Sequence, residues 1–322
     1  MENGTLQNKV PYECRQYFAL ALDPIHVGTG AMRLGRVDMP IMREPGTNLP
    51  KIPGTSLAGA CRAYAAMREN GKFPGCAGQK GHCGDLACPI CQAFGFIKDN
   101  STRQGLAQIS DARILFFPIH SLAGPVWVTS PDCLRQAGET QTKKGPDCGK
   151  LRVARGLSGN AKLNLGWLLL EVAGNDLNFD SKVGSVPQEI LDRAVLASDE
   201  LFSHVVNDNL EVRTSVSIDP ATGAASERAL FTYEALPRST VLAFEVVYKD
   251  PSLFASNANQ PGRMDLSQIV RTVENGLQLF EYLGVGGMNT RGMGRVNVLG
   301  LRAGSPLDSK LKAGSEKQEA KP

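Results

Sequence analysis

Residues 28–62 read GTGAMRLGRVDMPIMREPGTNLPKIPGTSLAGACR. The stretch has three parts: a glycine-broken loop, a short strand carrying one acid, and a proline–glycine turn that launches a helix. Gly28, Gly30 and Gly35 let the backbone bend or approach a ligand closely. Asp38 stands between Val37 and Met39, with Arg33, Arg36 and Arg43 around it. Pro53 and Gly54 end the strand, and Thr55 or Ser56 is placed to cap the helix by accepting its free backbone N–H groups. Such a helix start, with open N–H groups and a partial positive charge, suits a phosphate. An acid among bases beside it suggests nucleic acid. The plainer alternative is a strand–turn–helix whose Asp is a solvated turn residue.

Three motifs follow one another here: H-x-G-x-G over residues 26–30, an acid before P-x-x-R over residues 38–43, and I-P-G-T-S-L-x-G-x-x-R over residues 52–62. Their order and spacing resemble the N-terminal signature of the RAMP superfamily. More narrowly, they resemble the repeating backbone subunit (the Cas-seven group) of type III CRISPR effector complexes. The resemblance implies a single RAMP domain over residues 1–302. It also implies RNA contacts from His26, Gly28, Gly30, Arg36, Arg43, Lys51, Thr55, Ser56 and Arg62. Target-RNA cleavage in that family uses an Asp in this motif together with Mg²⁺ or another divalent ion, and the match assigns that role to Asp38. A carboxylate can hold such an ion or orient a ribose 2′-OH, while Arg or Lys offsets phosphate charge.

At 322 residues, 42% hydrophobic and 21% charged, the chain has the composition of a soluble globular protein. No stretch approaches the roughly 20 apolar residues of a membrane span. The N-terminal MENGTLQNKVPYECRQ lacks the apolar core of a signal peptide, so the expected address is cytoplasmic. A net charge of +3 allows nucleic-acid binding only through a local basic stripe on a mixed surface.

Cysteines in a reducing compartment are thiols or metal ligands. Cys76, Cys83, Cys88 and Cys91 are spaced C-x6-C-x4-C-x2-C in a stretch (residues 70–95) rich in glycine and poor in periodic hydrophobics. Four soft thiolates with a closing C-P-x-C knuckle suit tetrahedral Zn²⁺ as a structural site, which would order a loop whose composition cannot order itself. His82 is an alternative ligand to Cys83. Some members of the resembled family carry a zinc-bound insertion at this point.

Further along, residues 16–22 (QYFALAL) read as a strand, and residues 137–160 as a mobile basic loop, solvated or in contact with an RNA backbone. Residues 187–207 and 266–283 have helical apolar spacing. Residues 210–218 and 225–233 alternate around D-P-A-T-G, a hairpin with a strong turn signal. In the resembled family a β-hairpin thumb (here 208–236) projects between guide and target strands. Residues 284–295, GVGGMNTRGMGR, form a backbone-exposing loop fit to cradle phosphates. This loop resembles the glycine-rich RAMP hallmark, and the likeness implies RNA contacts at Gly286, Gly287, Arg291, Gly292, Gly294 and Arg295. Residues 303–322 are expected to be disordered.

Without its insertions the chain reads β-α-β-β-α-β, an α+β, ferredoxin-like (RRM-like) core. The partners this implies are a CRISPR guide RNA, a target RNA and neighbouring RAMP subunits. They also include the large polymerase-like, small and five-prime-handle-capping subunits, with no membrane. A non-catalytic guide scaffold and a guide-precursor-processing RAMP endoribonuclease are the other functions considered. Asp38 argues against the first; its motif and the hairpin region are unusual for the second.

Overall fold

The computed structural model describes residues 10–30, 37–78, 82–98, 101–139, 145–216, 218–224, 230–254 and 262–301. Arg33, Gly35, Arg36, Lys143, Lys144 and the tail at 303–322 lie outside the described residues. Strand β1 (Tyr12–Ala21) leads through β2 (Lys51–Ile52) into α1 (Gly54–Arg68) and α2 (Pro89–Phe94). The strands β3 (Phe96–Lys98), β4 (Ser101–Arg103), β5 (Ala107–Ile109), β6 (Ala112–Ile119) and β7 (Val126–Thr129) follow. Next come α3 (Pro131–Gln136), β8 (Lys150–Ala154), β9 (Lys162–Leu165), β10 (Leu168–Leu177), α4 (Gln188–Leu191), β11 (Ala194–Leu196) and α5 (Asp199–Asp208). The chain closes with β12 (Glu211–Ser215), β13 (Phe231–Ala235), β14 (Val241–Lys249), α6 (Pro251–Phe254), α7 (Leu266–Leu277), α8 (Phe280–Leu283) and β15 (Val296–Val298).

Among the described residues, one large mixed sheet runs β15-β1-β14-β6-β7-β11-β8-β10-β9, with β2 beside β6 and β5 beside β14. Strand β1 begins ahead of its apolar run because its polar first half pairs with β14, Tyr12 opposite Lys249. Side chains alternate across the sheet, as a strand requires. Tyr17, Phe244 and Tyr248 pack with Leu57, Cys61, Ile269 and Val273 of the two long helices. Phe18, Phe116 and Val241 face the other way, against Leu134, Val183 and Leu191. The helix pair crosses closely at Gly276, where a side-chain carbon would lie 2.3 Å from the Cys61 carbonyl oxygen. Beneath them the Tyr17 hydroxyl donates to Glu274 at 3.0 Å and meets the Tyr248 hydroxyl at 2.8 Å. No described helix is long and apolar enough to cross a membrane.

Three expectations are corrected here. The stretch 187–207 is not one helix: Ala194, Val195 and Leu196 are fully buried as β11, parallel to β7 and antiparallel to β8. The helical spacing was real but spans three elements, and Ser198 caps the last of them by accepting from the Leu201 N–H. The stretch 266–283 breaks after Leu277, which lets Phe280 bury and brings the Gly284 carbonyl to the Tyr64 hydroxyl at 2.7 Å. The basic stretch 137–160 carries β8, and two of its described cations are paired: Lys150 with Asp147 at 3.5 Å and Arg152 with Asp176 at 2.9 Å.

Strands β12 and β13 pair in a two-stranded sheet of their own, Glu211 opposite Ala235. Their turn is held by the Asp219 carboxylate, which accepts from the Ala221 N–H at 2.9 Å.

Candidate functional site

Four segments distant in sequence meet by backbone pairing. His26 bridges Gly287 of the glycine-rich loop, Gly28 bridges Ile41, and Met39 bridges Tyr233 of β13. Ile25 and Leu236 exchange both of their hydrogen bonds, at 2.8 and 2.9 Å. The H-x-G-x-G loop, the Asp38 segment, the hairpin base and the glycine-rich loop therefore form one surface.

His26 is almost fully buried. Its Nδ1–H donates to the Glu234 carbonyl at 2.6 Å and its ring meets Tyr233 edge-on. That bond turns Nε2 toward Gly28, where a side-chain carbon would stand 3.0 Å away. The His26 carbonyl in turn accepts from the Gly287 N–H at 2.8 Å. Gly286 has φ +88°, and a side-chain carbon on it would fall 2.5 Å from the same carbonyl oxygen. Both conditions demand glycine.

Asp38 is fixed from across the site by Thr232 of β13. Its Oδ2 accepts from the Thr232 N–H at 2.7 Å and from the Thr232 hydroxyl at 2.9 Å. The Asp38 N–H returns a bond to that hydroxyl oxygen at 3.1 Å. The Thr232 backbone N–H, then its hydroxyl, hold the carboxyl below the usual carboxylate range. The group is ionised at neutral pH, and Oδ1 has no partner among the described residues.

Several cations read from the motifs are already engaged. Arg43 pairs with Glu234 at 2.9 Å and donates to Asn207 and to the Ile41 carbonyl, so it braces the fold instead of facing out. Arg295 grips both oxygens of Asp23, at 2.6 and 3.1 Å. Lys51 binds Asp111 at 2.6 Å. Arg291 is exposed, lies 5.4 Å from the centre of the Phe231 ring and has no carboxylate partner among the described residues. It ties the glycine-rich loop to the hairpin through Ser215 at 3.4 Å.

The helix cap is also different. Neither Thr55 nor Ser56 caps α1; Asp111 does, accepting from the Gly54 N–H at 2.7 Å while it pairs with Lys51. Burial alone would raise the Asp111 carboxyl, but these bonds outweigh it and hold the group below its ordinary value. The anion at the first N–H of this helix is thus supplied by the chain itself.

Cys76, Cys83, Cys88 and Cys91 converge, with sulfur pairs at 3.8 Å (Cys76–Cys88), 3.7 Å (Cys83–Cys91) and 4.0 Å (Cys76–Cys91). Tetrahedral zinc–thiolate bonds of about 2.3 Å put sulfurs about 3.8 Å apart, so the donor set fits that ion. Hydrogen bonding from Cys91 draws the Cys88 thiol down to about 5. Arg62, expected to face RNA, is buried instead against this loop.

The pattern that defines the RAMP superfamily matches residues 19–297. This chain belongs to the RAMP superfamily. It is 28% identical over 297 residues to the Cmr endoribonuclease Cmr4 of Pyrococcus furiosus, covering 86% of this chain and 92% of the relative. A shorter match, 34% identical over 83 residues, joins it to the Csm3 endoribonuclease of Methanothermobacter thermautotrophicus (25% of this chain, 32% of the relative). A chain of a Type III-B Cmr-beta complex in its apo state superposes with TM-score 0.64 at 17% identity, covering 88% of this chain and 96% of that one. A crystal structure of Cmr4 gives 0.58 at 21%, covering 90% of this chain and all of the other (100%). The α+β architecture with its large mixed sheet is thus a fold shared with RAMP proteins of known structure.

Within this RAMP domain the tightest joint of the site is Gly286 against His26. Substitution Gly286→Ala is expected to push the glycine-rich loop off the His26 segment and to cost about 1–3 kcal/mol. Thermal unfolding of the purified chain checks this, and an unchanged melting temperature would mean that the loop is not seated as described. Thr232, Glu234 and Asp111 belong to the site but carry no motif that would have selected them from the sequence.

Proposed function

We propose that this chain is a guide-RNA-binding backbone subunit of a cytoplasmic type III CRISPR effector complex and that it cleaves guide-complementary RNA through Asp38. The observation that carries this is the ionised Asp38 carboxylate, pinned on one oxygen by Thr232 and open on the other, between a glycine-rich loop and a hairpin base. The relatives' names, Cmr4 and Csm3 endoribonuclease, support the reading. So does the likeness to a Cmr-beta chain solved with cognate target RNA, at TM-score 0.63. The sheet order β15-β1-β14-β6, with α1 following β1 and α7 following β14, supports our reading of a ferredoxin-like core. Neighbouring copies, the guide, the target and the other type III subunits are the partners on this reading.

A carboxyl held below its usual range is a weak proton acceptor. Asp38 therefore acts by orientation: Oδ1 accepts a hydrogen bond from a ribose 2′-OH and aims that oxygen at the adjacent phosphate. Attack of the 2′ oxygen breaks the bond to the 5′ oxygen of the next nucleotide, with the 2′-OH proton passing to water and the departing 5′ oxygen taking a proton from water, which leaves a 2′,3′-cyclic phosphate and a 5′-OH. The exposed Arg291 guanidinium is available to offset phosphate charge. One carboxylate oxygen suits a hydrated Mg²⁺, and when bound that ion would supply further charge neutralisation. In the Cys-rich loop, Cys76, Cys83, Cys88 and Cys91 would hold a structural Zn²⁺.

The test is the assembled complex with guide, Mg²⁺ and a complementary RNA. Cuts at regular spacing with cyclic-phosphate ends are expected, and 2′-deoxy substitution at those positions should block them. Cleavage of the deoxy target would refute 2′-OH attack.

A further inference from the structure

We infer that Arg62 is a positioning residue of the four-cysteine metal centre, which it holds to the first helix and from which it keeps His82 away. This rests on the zinc reading above. The Arg62 Nε donates to the Cys76 carbonyl at 2.8 Å, and Nη1 donates to the Gly95 carbonyl at 2.8 Å. Nη2 meets His82 Nδ1 at 2.7 Å and lies 4.0 Å from the Cys91 sulfur. One side chain thus joins both ends of the loop to α1, and the side chain is only 9% exposed. Gly78 wraps it closely, since a side-chain carbon there would stand 3.3 Å from the Arg62 Cδ.

Charge explains why an arginine belongs here. A divalent ion with four thiolates carries a net charge of about −2, and burying that charge requires a cation nearby. Lys98 donates to the Cys83 carbonyl but is exposed, Arg103 donates to the Leu86 carbonyl, and Lys72 is shared with Asp85 at 3.7 Å. Arg62 is the described cation that is buried against the sulfurs. Its planar fork reaches several acceptors in fixed directions, which a lysine cannot do.

The same fork decides between the two candidate ligands. Arginine only donates, so His82 Nδ1 must accept, and its lone pair is used. Cys83 is then left as the fourth ligand. Removing Arg62 frees that lone pair, and the residue next to Cys83 can then compete for the ion.

The experiment uses the full-length chain loaded with Co²⁺, whose absorption distinguishes four sulfurs from three sulfurs and one nitrogen, and Zn²⁺ transfer to a chelating dye. Arg62→Ala is expected to weaken metal binding about 10–100-fold and to shift the Co²⁺ spectrum toward mixed sulfur–nitrogen coordination. Arg62→Ala with His82→Ala should restore the four-sulfur spectrum but not the affinity. Arg62→Lys keeps the charge without the fork and should recover part of the affinity, and it serves if the alanine variant does not fold. A wild-type chain that takes up no metal would refute the zinc reading itself. A metal-loaded wild type whose affinity and spectrum are matched by Arg62→Lys, or by a folded Arg62→Ala, would overturn this inference alone.

Discussion

Replacing Asp38 by Asn in the assembled complex is expected to lower cleavage of guide-complementary RNA by about 10²-fold, with guide and target binding retained. The Thr232 N–H and hydroxyl would still hold the side-chain oxygen, since both donate. The amide nitrogen would then face outward where Oδ1 now lies, presenting donors to a 2′-OH that needs an acceptor. The fold is disturbed little, so the loss is chemical. Cleavage at fixed intervals, followed on a labelled target beside a binding assay, separates the two. Unchanged cutting would move the reaction to another subunit and leave this chain as a scaffold.

The pH dependence follows from the same bonds. Because Thr232 holds the Asp38 carboxyl below its ordinary value of 3.8, the group stays ionised as the pH falls through the range where free carboxylates begin to protonate. The rate should show no acid limb from Asp38 above about pH 5. Thr232→Val keeps the backbone donor, removes the hydroxyl and takes away the acceptor of the Asp38 N–H. That variant should cut more slowly, and any acid limb should move upward.

What the sequence made legible is local. Asp38 was singled out by its motif, and the four cysteines by spacing, because both signals lie within a short window. The glycine-rich loop was found for a related reason: Gly286 and Gly287 have to admit the His26 backbone, and that need leaves a visible run of glycines. The partners that set the chemistry left no such trace. Thr232 lies 194 positions from Asp38 and Glu234 lies 193 from Ile41, in a strand whose sequence, FTYEA, reads only as β. Charge misled in a consistent direction. Arg43, Arg62 and Arg295 read as free cations, yet Glu234, the Cys loop and Asp23 claim them, because pairing across the fold is invisible to composition. Asp111 illustrates the same point from the opposite side: one distant acid both accepts from the first N–H of α1 and pairs with Lys51, so a helix start that reads as open to phosphate and a lysine that the resemblance gives to RNA are both engaged within the chain.

Loss of the metal should produce the largest structural effect. Three of the four cysteines sit in a small core of their own, where Cys76, Cys88 and Cys91 pack with Ile90 and Phe96 against Ala65 and Ala66 of α1, while Cys83 is exposed. Before α2 (Pro89–Phe94), which is buried and held by Gln92 to Gly262 and Met264, the described residues of this stretch are short of apolar side chains and are tied to α1 chiefly by Arg62. Structural zinc contributes about 10–16 kcal/mol in small zinc-bound domains, far above what this satellite core can supply. Cys88→Ser, whose sulfur is fully buried, should therefore abolish stoichiometric zinc and open the loop to protease between residues 70 and 95. The main core, formed by the sheet with α1 and α7, does not depend on these sulfurs and should survive as a protected fragment. Limited proteolysis with and without a zinc chelator reads this directly. Equal resistance in both conditions, with the melting temperature unchanged, would show that the loop is ordered by packing and that the cysteine spacing has another cause.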